Sequence, residues 1–292
     1  MKEMSSTVDL HMHSSASDGS DSPAELAGKV NGAGIRIFAL TDHDTLEGAR
    51  ELTAFFRKDA SEDLKFIPGI ELSSMTDRGL WHILGYCCDP DDRLLGHAIR
   101  EVAERRSRKT QIRIENLQKN DGIVLTQEEK DWIFSHQSPG RPHIGQVLVK
   151  RGLVSSVYEA FATYLNSAHS PVPARTSRIE AALAIDGIHS AGGIVSLAHP
   201  LGGEGEPHLP PDQFETHLDE LVSLGIDCLE CYYSRYTQQE VDYLLECARS
   251  RHLLVSGGSD YHGTNKNIPL GRLNAGDIPV RPEQLTILKK IL

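Results

Sequence analysis

No apolar run in this chain approaches the roughly 20 residues that a membrane span requires, and its amino terminus carries neither the basic nor the apolar segment of a secretory leader. A cytoplasmic protein is expected. Cysteine is scarce and odd in number, five residues at 87, 88, 228, 231 and 247, which excludes a disulfide framework and fits a reducing compartment. Cys228 and Cys231 have metal-like spacing, but they lie within the strand-like apolar run 225–233 and no second cysteine pair completes a zinc site, so core thiols are expected. Positive charge is in deficit: a net charge of −11 argues against a broad basic surface for long duplex nucleic acid and leaves room only for a local positive pocket. What remains is a 292-residue chain, 39% hydrophobic and 24% charged, long enough to bury a full core, and with 14 histidines.

The apolar pattern alternates between strands and helices, as in parallel α/β architectures. After a first strand near Val8, Ser22-Pro23-Ala24-Glu25 supplies an N-cap serine, a proline at the first helical position and a glutamate three residues after the cap. This predicts a helix to about Asn31, ended by Gly32 and Gly34. Strands are predicted over 35–40, 65–73 and 80–86, with a helix over 46–56. From 178 the alternation resumes: helix 178–191, a strand ending at His199, helix 212–224, strand 226–232, helix 238–251 and a strand leading into Asp260.

Residues with metal-ligand chemistry recur at or near the ends of these strands. His11 and His13, two apart on an extended segment, face the same side, and Asp18 follows on a loop that can fold back over them. His43 lies beyond the second strand, with Asp42 and Asp44 placed either to orient it or to cap the next helix. Glu71 stands among apolar neighbours where a carboxylate needs a partner, and His82, His199, Asp260 and His262 occupy comparable positions. Nine imidazole and carboxylate groups suit two or three divalent ions such as zinc, manganese or iron, and suit calcium poorly.

Residues 91–169 break the pattern. A long helix over about 91–120 carries the basic cluster Arg105, Arg106, Arg108, Lys109 and Arg113, read first as a solvated face and second as a contact to phosphodiester; two or three short helices follow to about Ser167. So long a connection is a helical insertion between strands, of the kind that acts as a lid. Within it, Arg141 and His143 stand two apart where they can converge on a phosphate.

These residues together resemble the PHP (polymerase and histidinol phosphatase) superfamily. The motifs are Asp9-Leu10-His11-Met12-His13, Thr41-Asp42-His43-Asp44, Gly69-Ile70-Glu71, His82, Ala198-His199-Pro200 and Gly258-Ser259-Asp260-Tyr261-His262, in order along nearly the whole chain. The resemblance implies a distorted (β/α)7 barrel over 1–90 and 170–292, with 91–169 as the helical insertion. It also implies a trinuclear metal site: His11, His13, Glu71 and Asp260 for one ion, Glu71, His82 and His199 for a second, and Asp18, His43 and His262 for the third. It further assigns Arg141 and His143 to substrate phosphate. Arg175, where the insertion rejoins the barrel, is a further candidate for phosphate binding.

The function implied is a metal-dependent phosphoric ester hydrolase acting on a small nucleotide, short oligonucleotide or ribose phosphate. Three divalent cations set against the carboxylates of Asp18, Glu71 and Asp260 and one hydroxide leave about +2, matched to a phosphate monoester dianion. The expected reaction is in-line attack of metal-bound hydroxide on phosphorus, with His143 or His199 protonating the leaving alkoxide. A nucleoside 5′-monophosphate phosphatase or 5′–3′ oligonucleotide exonuclease is the first reading. Cyclic ribose-phosphate phosphodiesterase, histidinol phosphatase and a non-catalytic metal-stabilised PHP module are the alternatives.

Overall fold

Short loops and tight turns decide which strands become neighbours. The structure, a computed structural model, describes residues 6–58, 64–136, 138–166, 168–203 and 208–292. Strand β1 (Val8–Asp9) pairs in parallel with β2 (Ile37–Leu40), and β2 with β3 (Lys65–Met75). Helices α1 (Pro23–Ala33) and α2 (Glu47–Lys58) make the crossovers. The Ser22–Glu25 capping box forms, but α1 runs through Gly32 and stops at Gly34, whose φ of 87° lies in the left-handed region that glycine adopts without strain.

Strand β4 (Leu80–Tyr86) departs from the parallel pattern: it runs antiparallel to both β3 and β6 (Ile194–Leu197). A parallel neighbour needs a crossover of a dozen or more residues, and only the turn at 76–79 joins β3 to β4. The reversal brings His82, near the start of β4, beside Ser73 on β3 and so to the rim reached by the ends of the parallel strands. The parallel order resumes through β6, β7 (Cys228–Tyr233) and β8 (Leu254–Gly258), while β5 (Ile179–Glu180) pairs with β3. Hydrogen bonds from Leu10 to Gly257 and from Asp260 to His11, together with the bridge between Met12 and Tyr261, bring β8 round to β1. The result is a distorted, nearly closed seven-strand α/β barrel, with β5 beside the main path.

Cys228 and Cys231 are buried core residues on β7. Between β4 and β5 come helices α3 (Arg93–Asp121), α4 (Gln127–Phe134), α5 (Arg141–Lys150) and α6 (Val157–Ala160), then a π-helical turn over Phe161–Leu165. The predicted end of this helical stretch at Ser167 lies outside the described residues. Asp92 caps α3 by accepting from the backbone of Leu94 and Leu95, and Gly122 ends it with φ of 67°. The first half of α3 packs Leu95, Ala98 and Val102 into the barrel core. Its second half places Ile114 and Leu117 in a separate cluster with Ile133, Ile144, Leu148 and Leu165. One continuous helix therefore joins the barrel to the inserted helices and carries side chains from one to the other.

Candidate metal centre

Glu71 sits at the middle of the site because β3 is long enough to carry it past the end of β2, where residues 42–44 run alongside. Glu71 N–H donates to the Asp42 carbonyl and Asp44 N–H donates to the Glu71 carbonyl. The carboxylate is fully buried. Its Oε1 lies 3.0 Å from His82 Nδ1 and 3.2 Å from His199 Nε2, and its Oε2 lies 3.3, 3.1 and 3.0 Å from His11 Nε2, His13 Nε2 and His43 Nδ1. Asp260 Oδ1 is 3.6 Å from His11 Nε2 and 3.3 Å from His13 Nε2. Asp18 reaches His262 at 3.2 Å, His13 at 3.7 Å and His43 at 3.8 Å. All nine candidate ligands from the sequence thus meet at one rim.

Within each of three overlapping sets, one ligand atom per residue lies within 4.8 Å of the others: His13, Asp18, His43 and His262; His11, His13 and Glu71; His43, Glu71 and His82. Six buried atoms here, His11 Nε2, His13 Nδ1 and Nε2, His43 Nδ1, Glu71 Oε2 and His262 Nε2, make no hydrogen bond. Leaving such an atom unsatisfied costs about 1–3 kcal/mol, and six distributed over these overlapping sets fit cations held between them. The mixed imidazole and carboxylate donors fit zinc, manganese or iron.

The electrostatics agree with that donor set. Burial opposes charge on Glu71, Asp18 and Asp260, yet the imidazoles around Glu71 and Asp18, and Lys266 and the imidazoles around Asp260, hold these carboxyls well below their ordinary range. Burial lowers His43, His82 and His262 and so favours the neutral imidazole that binds a metal. Burial also works against charge on His11 and His13, but Glu230 and Glu71 raise His11 well above its ordinary value, and the close carboxylates of Asp260, Glu71 and Asp18 raise His13 to about 9.

The backbone is strained around the site. His199 has φ of 26° and Asp260 φ of 60°, in the left-handed region. Glu230 on β7, which the sequence reading passed over, holds the first of these: Oε2 accepts His199 N–H at 2.6 Å, while Oε1 lies 3.0 Å from His11 Nδ1. Its signal was present, since Glu230 is a carboxylate inside an apolar strand, as Glu71 is. Glu230→Gln should lower metal affinity and kcat/KM by about 10- to 100-fold, the usual cost of losing such an orienting partner. Metal titration and steady-state kinetics on variant protein of unchanged circular dichroism check this.

Asp42 and Asp44 neither orient His43 nor cap α2. Asp42 accepts from Ser14 N–H, Ser14 Oγ and Ser17 Oγ at 2.7, 2.7 and 2.6 Å, tying the Asp18 loop to β2. Asp44 accepts from Ser73 N–H at 2.7 Å and pairs with Arg106 at 2.8 Å, tying α3 to β3. Two further groups missed by sequence reading secure Asp260: Tyr233 Oη donates to its Oδ2 at 3.0 Å and Lys266 Nζ at 2.8 Å.

The centre opens into a cavity of about 250 Å³ between the barrel rim and the inserted helices. His43, His82, His199 and His262 line one side, and Arg106, Lys109, Arg113, Arg141, Arg178 and Lys266 add positive charge. The basic cluster of α3 is therefore divided. Arg106, Lys109 and Arg113 share one helical face toward the cavity, whereas Arg108 is exposed beside Glu104 and Arg105 pairs with Glu101. Arg141, at the start of α5, lines the cavity with its guanidinium 4.9 Å from the centroid of the Phe161 ring.

His143 is buried behind Arg141 and does not line the cavity; its Nδ1 accepts Gly140 N–H at 3.2 Å. Burial, with the neighbouring His136 and Arg106, lowers it to about 4, so near neutral pH it is an uncharged imidazole rather than an acid. Arg175 is not brought to the site: its guanidinium donates to the carbonyls of Thr76 and Asp77 at 2.9 and 2.7 Å, a backbone clasp on the β3–β4 turn. His199 turns Nε2 to Glu71, so ligation through that atom and proton donation from it exclude each other.

Comparison with known proteins places this geometry among relatives. The pattern of the PHP domain matches residues 9–230. The chain is 31% identical over 268 residues to the 5′-3′ exoribonuclease Rnm of Escherichia coli, covering 90% of this chain and 88% of that one. It is 26% identical to the 3′,5′-nucleoside bisphosphate phosphatase of Chromobacterium violaceum, covering 87% of each. The crystal structure of a Bifidobacterium adolescentis protein classed as a metal-dependent phosphoesterase superposes with a TM-score of 0.80 at 26% identity, over 98% of this chain and 95% of that one.

Proposed function

Given that the chain belongs to the PHP domain family of metal-dependent phosphoesterases, we propose that it hydrolyses a phosphate ester bond of nucleotides that carry a second phosphate, namely nucleoside 3′,5′-bisphosphates and short 5′-phosphorylated oligonucleotides. The observation that carries this reading is the cavity itself. A cluster of imidazoles and carboxylates opens onto it, and six basic residues line it; Arg106 and Lys266 pair with Asp44 and Asp260, and Lys109, Arg113, Arg141 and Arg178 bring more positive charge than one phosphate requires. The names of the relatives from Escherichia coli and Chromobacterium violaceum point to the same substrate class.

Divalent cations held by the nine ligands would supply Lewis acidity at the scissile phosphate and lower the pKa of water toward ~7. The chain's own groups do the rest. Glu71, with a carboxylate oxygen toward each of two groups of imidazoles, spaces the ligand sets, and Glu230, Tyr233 and Lys266 fix His11 and Asp260 in place. Arg141 neutralises phosphate oxygens and Lys109 takes up the second phosphate, while Arg113, whose Nη1 donates to the Leu165 and Ser170 carbonyls at 2.9 and 3.0 Å, contributes positive charge to the wall. We assign residues 91–169 to a substrate-binding subdomain that closes the cavity over the barrel of residues 1–90 and 170–292. Histidinol phosphate fits less well, because its leaving group bears an ammonium that this cationic wall repels. The five free cysteines suit the reducing cytoplasm in which such nucleotides occur.

Assay of metal-loaded protein tests the proposal. The bisphosphates and 5′-phosphorylated oligonucleotides should give the highest kcat/KM, ahead of nucleoside 5′-monophosphates, 5′-hydroxyl oligonucleotides and histidinol phosphate. A preference for histidinol phosphate, or hydrolysis of none of them, would sink it.

Lys109 gives a pH signature. Burial, and then the charges of Arg106, Arg178, Arg113 and Arg141, lower its ammonium to about 7, and its Nζ donates to Ser177 Oγ at 3.0 Å. The amine is cationic below that pH and neutral above it. KM for a bisphosphate should therefore rise as pH climbs from 7 to 9, by up to about tenfold per unit. In Lys109→Met that limb should vanish from the KM profile; a limb that survives the substitution contradicts the assignment.

A further inference from the structure

We propose that the Phe161 ring, with the Arg141 guanidinium lying over it, is the platform on which the nucleobase of the substrate stacks. The cavity would then select nucleosides over bare sugar phosphates. This inference rests on the phosphoesterase reading and goes further, since nothing in a metal centre or a phosphate clamp distinguishes a nucleotide from a ribose phosphate.

Among the described residues that line the cavity, Phe161 is the one large apolar ring; the rest are polar or charged side chains, histidines, glycines and Pro142. An aromatic ring does not itself bind phosphate, and Phe161, packed in part against the core of the inserted helices, also faces the cavity. It is suited to a flat apolar partner, and every base has such a face.

The local backbone supplies a second observation. Phe161 opens a π-helical turn, Phe161–Leu165, directly after α6. The π turn is rare and is frequently found at functional sites. Here it is bounded by Ala160 and Leu165, both fully buried in the core of the inserted helices, and Phe161 itself lines the cavity.

Arg141 completes the platform. Its Cζ stands 4.9 Å from the ring centroid, so the cation holds the ring while remaining in the cavity. Recognition by stacking alone does not read the hydrogen-bonding edges of the base, so all four bases should be accepted.

The test compares a nucleoside 3′,5′-bisphosphate with its abasic counterpart, 1-deoxyribose 3,5-bisphosphate, on the metal-loaded full chain. Stacking on an aromatic side chain is lost at a cost of about 5- to 150-fold on alanine substitution. Wild-type protein should prefer the base-bearing substrate by a factor in that range. Phe161→Ala and Phe161→Leu should bring the ratio of kcat/KM for the two substrates toward one, mainly through KM, and Phe161→Trp should retain it. Phe161→Leu keeps apolar bulk without the flat face, so a folding defect confined to the alanine variant does not decide the matter. A wild-type protein that treats the two substrates alike, or a ratio unmoved in Phe161→Leu, overturns the proposal. Hydrolysis of neither substrate by wild-type protein overturns the phosphoesterase reading for this substrate class, and the inference with it.

Discussion

Glu71→Gln should abolish phosphoesterase activity, with kcat/KM falling on the order of 10³-fold or more, and should lower the metal content of the purified protein. Losing a partner that merely orients a ligand costs about 10- to 100-fold, and Glu71 is more than that. Its two oxygens lie within 3.3 Å of five imidazoles, and it supplies the negative charge between them. An amide of the same shape keeps the packing and removes that charge, so the histidines face one another without an anion to share a cation through. The fold should survive, because the strand pairing of β3 uses backbone groups that the substitution leaves alone. Activity and metal analysis on one sample check the expectation; full activity with full metal content would contradict it.

Arg141→Ala should act on substrate binding instead. Hydrogen bonds to charged groups contribute about 1.5–3 kcal/mol, so the loss of this guanidinium should lower kcat/KM by about 10- to 150-fold, chiefly as a higher KM. Arg141→Lys should recover part of it, because an ammonium keeps the charge without the planar fork. Metal content should not change, since Arg141 is a cavity-lining residue of α5 and the candidate ligands come from the barrel. A variant whose kcat falls while KM is constant would mean that Arg141 acts only in the transition state.

The centre was legible in the sequence because its chemistry permits few alternatives. A buried carboxylate or a run of strand-end histidines has no cheap explanation in an apolar core, and the strand positions themselves follow from apolar patterning. Local capping was readable for the same reason: Ser22 with Glu25 is a contact three residues long. What escaped depends on distant partners. Nothing near Asp44 in sequence announces Arg106, 62 positions on, or tells that the aspartate serves α3 rather than the start of α2. The basic face of α3 reads as solvated until the barrel rim is set against it, and Arg175 reads as a phosphate ligand until the β3–β4 turn offers it two carbonyls. Glu230 carries the same signal as Glu71, a buried carboxylate within an apolar strand.

The reversal of β4 belongs to the same class. Alternating patterns identify strands without giving their direction, and the turn at 76–79 forces an antiparallel neighbour. The consequence for the site is small, because the reversed strand delivers His82 from its beginning to the rim that the other strands reach at their ends.

The most direct measurement is anomalous diffraction from crystals grown with manganese. The account predicts two or three peaks within about 4 Å of one another, clustered around the Glu71 carboxylate and flanked by His11, His43, His199 and Asp260. A single peak away from Glu71, or none in crystals of protein that hydrolyses phosphate esters, would contradict it.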